Sequence, residues 1–141
     1  MSDPTAVEAL HEGALQLAAQ ALVMELFARI DRRDIDGAVG LYAEDAVFLG
    51  ATGRTEIEQA MRAGLAPNAE HRSRHVIANV RSSMLDGDSV LVDYTALAFT
   101  LQGPGPFAAR SILDQQQVIR RSHSGKLEIA EQRIPGLGSQ A

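Results

Sequence analysis

The segment from Arg74 to Phe99 limits the possible folds more than any other part of the chain. Arg74-His75-Val76-Ile77-Ala78-Asn79-Val80 and the run from Val90 to Phe99 are rich in strand-forming residues, and Asp86-Gly87-Asp88 stands between them. An Asp-Gly pair between two such runs is the pattern of a β-hairpin whose turn takes positive φ values. With Asp86-Gly87 as a two-residue turn, pairing sets His75 opposite Ala98, Ile77 opposite Ala96 and Asn79 opposite Tyr94. Side chains alternate along a strand, so all of these share one face. A titratable ring, an amide, a phenol and two alanines leave room beside them, as a pocket wall does. A three-residue turn, Asp86 to Asp88, would flip the partner strand and bring Asp93 to that face instead of Tyr94.

The first third of the chain reads as helix. Apolar residues recur at helical spacing from about Thr5 to Arg33, through Val7, Leu10, Ala14, Leu17, Ala21, Leu22, Leu26 and Ile30. Gln16, Gln20, Glu25 and Arg29 form only a narrow polar stripe, so most of this helix should be covered. Asp34 can cap a short second helix reaching Leu41 and Tyr42. A short strand, Ala46 to Leu49, comes next. Thr55-Glu56-Ile57-Glu58 has capping-box spacing and opens a third helix to about Leu65, closed by Gly64 and Pro67. From Arg72 onward the chain is β. The loop Gln102-Gly103-Pro104-Gly105-Pro106 suits no strand. Ala108 to Arg121 and Lys126 to Ile134 are strands around a Ser122–Gly125 turn. Helices first and antiparallel strands after imply one α+β domain over 1–134, with 135–141 a flexible tail.

Composition removes several functions. Net charge of −5 and a pI near 5.3 argue against nucleic acid and anionic membranes as partners, both of which need a basic surface. Without cysteine there is no disulfide framework, thiolate metal site or thiol nucleophile. Residues 14 to 30 are interrupted by Gln16, Gln20, Glu25 and Arg29, which disfavours a membrane span. Met1-Ser2-Asp3-Pro4 lacks the regions of a signal peptide, so a cytoplasmic location is expected. His71 and His75 enter a strand, where four residues span roughly 13 Å, and His11 and His123 lie near opposite ends of the chain. No metal site is expected. The Gly103–Pro106 loop has no lysine and no following helix, so it is no phosphate loop. It could instead be a lid over a pocket mouth.

Four strings in order resemble the SnoaL-like branch of the nuclear-transport-factor-two-like superfamily. They are Asp31-Arg32-Arg33-Asp34-Ile35-Asp36 with Leu41-Tyr42-Ala43-Glu44-Asp45-Ala46-Val47-Phe48; Gly53-Arg54-Thr55-Glu56-Ile57; the Arg74–Val80 and Asp86–Asp88 hairpin; and Gly125-Lys126-Leu127-Glu128-Ile129 with Arg133. The resemblance covers roughly residues 15 to 134. It implies three N-terminal helices packed on a strongly curved, mostly antiparallel sheet that forms a cone with an internal pocket. The superfamily holds cyclases, dehydratases, isomerases and epoxide hydrolases, and also small oxygenase subunits and domains without chemistry.

The resemblance also marks residues. In dehydratases of the superfamily a histidine at the His75 position pairs with an aspartate at the Asp31 position. A carboxylate suits imidazole there, because it fixes the tautomer and supports the charged form. Asp31 near a helix C-terminus also faces the negative dipole end, which Arg32, Arg33 or a protonated His75 could offset. A structural hydrogen bond between helix and sheet is the alternative. Asp114 matches a position that is often acidic and cavity-facing, although an Arg110–Asp114 contact on an outer face would explain it equally. Tyr94 is either an oxyanion donor or a core residue with its hydroxyl satisfied. The departures are Leu127 where tryptophan is common, Ile30 where the dehydratases carry tyrosine, and Phe48 or Leu49 where they carry another.

The expectation is a cofactor-independent enzyme of isomerase, cyclase or dehydratase type, acting on a small apolar polyketide-, terpenoid- or steroid-like molecule. His75, Asp31, Asp114 and Tyr94 would carry the chemistry. Asn79, Ile77, Ala96, Ala98, Phe27, Phe48 and Gln116 would contact the substrate. A non-catalytic binding or assembly domain, or a small ring-hydroxylating oxygenase subunit, is the alternative. Leu91, Leu97 and Phe99 fall on the face opposite His75, and covering them leads to an expected homodimer.

Overall fold

The computed structural model describes residues 5–65 and 71–136. Pro67, the first four residues and the tail beyond Gly136 lie outside them. Helix α1 (Ala6–Asp31) opens with a capping box in which Thr5 Oγ1 accepts from the Glu8 amide and the Glu8 carboxylate accepts from the Thr5 amide. These bonds satisfy two groups the first turn would otherwise leave unpaired. Arg33, at φ 64, turns the chain out of α1, and Asp34 caps α2 (Ile35–Val39) by accepting from the Gly37 amide. Helix α2 stops short of Tyr42, which begins strand β1 (Tyr42–Phe48). A two-residue strand β2 (Ala51–Thr52) leads to α3 (Gly53–Gly64).

Helix α3 starts three residues before the position that Thr55 would cap. Gly53 takes φ 85, which glycine adopts without strain, and Glu56 reaches back to the Thr52 amide at 3.2 Å. The Gly53-Arg54 string is thereby explained structurally. Arg54 Nε donates to the Tyr42 carbonyl at 2.8 Å, and Ile57 is fully buried.

Strands β3 (His71–Asp86), β4 (Ser89–Gln102), β5 (Ala108–Arg121) and β6 (Leu127–Arg133) complete a six-stranded sheet of order β2-β1-β6-β5-β4-β3. All neighbours run antiparallel except β1 and β6, so the sheet is mixed. Helix α1 lies across β3 and β4, while α3 packs on β1 and β2. Between them sits one cluster that includes Val23, Leu26, Tyr42, Ile57, Val92, Ile119 and Ile129. Full burial of each such aliphatic side chain contributes roughly 1.5–3 kcal/mol.

The hairpin register is correct at the His75 end and shifted at the turn. His75 pairs with Ala98 and Ile77 with Ala96. The connecting residues, however, are Gly87-Asp88, between Asp86 and Ser89. Gly87 is not at positive φ; instead the Asp86 carboxylate accepts from the Asp88 amide at 2.8 Å and closes the turn. Two bulges absorb the difference. One lies between Met84 and Asp86, and the other sets Asn79 and Val80 against the single residue Tyr94. Asn79 holds φ 54 and is exposed, and beyond it Val80, Ser82 and Met84 turn toward the helix side. Asn79 therefore does not share the face of His75, Ile77, Tyr94, Ala96 and Ala98.

Candidate functional site

The C-terminal turn of α1 meets the start of β3 at Asp31. Its Oδ1 lies 2.7 Å from His75 Nδ1 and accepts from Ser73 Oγ at 3.0 Å, while Oδ2 accepts from the His75 backbone amide at 2.8 Å. The carboxylate is 8% exposed and the imidazole 18%. Three donors thus offset the unfavourable position of a carboxylate at a helix C-terminus. The sequence pointed to His75 for this role but missed Ser73, although alternation puts Ser73 on the same strand face two residues earlier. Arg32 turns away and pairs with Glu25 at 3.6 Å.

An ionised carboxylate only accepts, so neutral His75 must carry its proton on Nδ1 and present a lone pair at Nε2. Among the described residues, Nε2 makes no hydrogen bond. The dyad lines a groove of about 450 Å³ between α1 and β3, together with Met24, Phe27, Ala28, Arg32, Arg74 and Ile77. The Phe27 ring centre is 5.0 Å from that of His75 and 5.8 Å from that of Tyr94. Phe27 and Ile77 are therefore at the groove. Ala98 sits beside His75 on the next strand, and Ala96 is buried behind it.

Other expected site residues lie elsewhere. Alternation on β5 sends Gln115 and Gln117 inward and Asp114 and Gln116 to the outer sheet face. Asp114 accepts from Thr95 Oγ1, not from Arg110, and Gln116 donates to Asp93, each at 2.7 Å. With Asn79 they line a different depression of about 750 Å³. Phe48 sits on β1 between Ala51 and Gln132, away from the dyad.

Tyr94 belongs to a buried polar network that the sequence reading missed. Its hydroxyl donates to Gln115 Oε1 and accepts from Gln117 Nε2, each at 2.8 Å. Gln132 Nε2 also donates to Gln115 Oε1, and the Tyr42 hydroxyl donates to Gln132 Oε1. Gln117 Oε1 alone has no partner among the described residues. The run Gln115-Gln116-Gln117 was the available signal, since alternation had to send at least one of the three to the core. The Tyr94 donor is thus committed to the core rather than aimed at the groove.

Burial holds both phenols protonated well beyond the ordinary range. The unfolded chain loses those protons above about pH 10, whereas the folded chain keeps them. The phenols therefore leave stability unchanged below that pH and lower it as pH rises past it. These are the only tyrosines and there is no tryptophan, so absorbance at 295 nm reports them alone. The expected result is no phenolate signal until a cooperative alkaline unfolding, which circular dichroism should follow at the same pH.

A profile for the SnoaL-like domain matches residues 14–132, most of the chain. The chain belongs to the SnoaL-like family. Comparison with curated proteins by sequence gives no match. Among solved structures, the SnoaL-like chain is similar to ActVI-ORFA from Streptomyces coelicolor, at 16% identity and a TM-score of 0.75 over 82% of this chain and 92% of that one. It is similar to a scytalone dehydratase-like protein from Novosphingobium aromaticivorans, at 16% identity and 0.68 over 92% and 87%. The β subunit of benzoate 1,2-dioxygenase from Burkholderia mallei is also similar, at 20% identity and 0.67 over 82% and 86%. At these identities the likeness establishes the α+β fold alone.

Proposed function

We propose that this SnoaL-like chain performs cofactor-independent proton transfer on a small, mostly apolar molecule carrying a carbonyl. The observation that carries this reading is the Asp31–His75 pair at the groove, with Nε2 open and Nδ1 held at 2.7 Å. His75 Nε2 takes a proton from carbon beside the carbonyl and returns it to the same or a neighbouring atom. Asp31 is a positioning residue that stabilises the imidazolium formed between the two steps. Met24, Phe27, Ala28 and Ile77 suit an apolar body. Isomerisation, cyclisation and water elimination all begin with such a step, and relatives of this fold include a dehydratase-like protein.

A panel of polyketide-, terpenoid- and steroid-like carbonyl compounds in D₂O tests this by NMR. Catalysed exchange of the protons next to the carbonyl is expected for the native chain. It should fall by roughly 10²- to 10⁴-fold in His75→Gln. Exchange equal in both proteins would sink the proposal.

The second reading is a binding or assembly domain. Tyr42 and Tyr94 both spend their hydroxyls within the core, and the dioxygenase β subunit shares the fold. Ligand shifts around the groove without any proton exchange would favour it.

A further inference from the structure

Helix α1 is apolar on two opposite sides, and its own subunit covers one. Leu15, Ala19, Val23 and Leu26 are buried against the sheet. Val7, Leu10, Ala14, Leu17, Ala21 and Met24 are all exposed and recur at alternating intervals of three and four residues. At 3.6 residues per turn the second set forms a straight stripe on the far side of the helix, about 26 Å long. Val7, Leu10 and Leu17 are 61%, 72% and 68% exposed, and Met24 is 47% exposed. Alternation of three and four is the spacing of a seam between two helices.

We propose that a second copy of this chain packs along the stripe, antiparallel, about a two-fold axis level with Leu15 and Gln16. The sequence is complementary to itself in that register. Val7 meets the partner's Met24, Leu10 meets the partner's Ala21, and Ala14 meets the partner's Leu17. Each leucine fills the space beside an alanine, and a two-fold axis repeats every contact.

Gly13 on the flank of the stripe fits the same arrangement. A glycine inside a helix costs about 1 kcal/mol relative to alanine. Among the described residues, nothing lies within 4 Å of where its Cβ would stand. A groove of about 500 Å³ also runs beside Leu10, Ala14 and Leu17. By length and composition α1 could cross a membrane. However, one side of it is packed on the sheet, and it carries Glu8, Glu12 and Glu25 with no lysine or arginine before Arg29, the wrong charge for anionic lipid headgroups.

The dimer reaches the dyad. Met24 lines the groove that holds Asp31 and His75, so the partner's Val7 walls one side of it.

Sedimentation at tens of micromolar should give a dimer for the native chain. Leu10→Glu combined with Leu17→Glu should give a monomer with unchanged circular dichroism, since both leucines are exposed. The absence of cysteine makes single cysteines clean probes. Val7→Cys mixed with Met24→Cys should cross-link through a short bismaleimide, and neither should do so alone, because each lies about 26 Å along the axis from its own symmetry mate. A native monomer would overturn the proposal, as would a dimer that survives the double glutamate variant, which places the contact on another face. Self-cross-linking of Met24→Cys alone would overturn the antiparallel register. A monomer that binds phosphatidylcholine–phosphatidylglycerol vesicles through the same leucines would assign the stripe to a membrane instead.

Discussion

Replacing Asp31 with alanine is expected to lower the unfolding free energy by about 3–5 kcal/mol. The carboxylate accepts from Ser73 Oγ, the His75 amide and His75 Nδ1. A hydrogen bond to a charged group contributes roughly 1.5–3 kcal/mol, and these three share one anchor, so their losses do not simply add. Relief at the helix terminus returns at most about 1 kcal/mol, too little to change the sign. Against a typical total of about 5–15 kcal/mol, the loss is large, and urea unfolding measures it directly. Asp31→Asn should cost less, because its carbonyl can still accept from the His75 amide. A change under 1 kcal/mol for alanine would mean that the carboxylate does not hold helix to strand.

The second large effect lies in the buried network. Gln115 Oε1 accepts from both Tyr94 and Gln132. Gln115→Leu leaves two buried donors without an acceptor and is expected to destabilise by about 2–4 kcal/mol. Gln117→Leu should behave differently. It removes an acceptor that has no partner among the described residues, and the Tyr94 hydroxyl keeps its bond to Gln115. The expected change is within about 1 kcal/mol of zero, in either direction. Parallel denaturant titrations compare the two variants. Equal losses would contradict the assigned roles of the two glutamines.

The fold was legible because its signals are periodic. Helical spacing marked α1, Asp34 marked the second cap, and the strands from β3 onward followed from runs of β-formers. Local backbone irregularity was not legible. The bulge at Asn79 costs one residue of alternation, and nothing in Ala78-Asn79-Val80 announces it apart from an asparagine that tolerates φ 54. That one residue removed Asn79 from the pocket face. Asp114 and Gln116 were misplaced for a related reason. On β5 an acid and three glutamines stand together, and composition does not say which of two alternating sets faces the core. Helix α3 began early because Gly53, rather than the better-looking Thr55 cap, sets the turn. At the site, His75 and Asp31 were found through resemblance and chemistry together. Ser73 stayed hidden because a serine in a strand carries no mark of its partner.

The central claim is that Asp31 fixes His75 with its proton on Nδ1 and its lone pair toward the groove. Long-range ¹H–¹⁵N NMR of the imidazole, assigned by loss of the signal in His75→Gln, tests it most directly. The neutral ring should show the Nδ1–H pattern, convert to Nε2–H in Asp31→Asn, and shift when an apolar carbonyl compound is added. A native ring that carries its proton on Nε2, or one that ignores both the substitution and every ligand, would contradict the account.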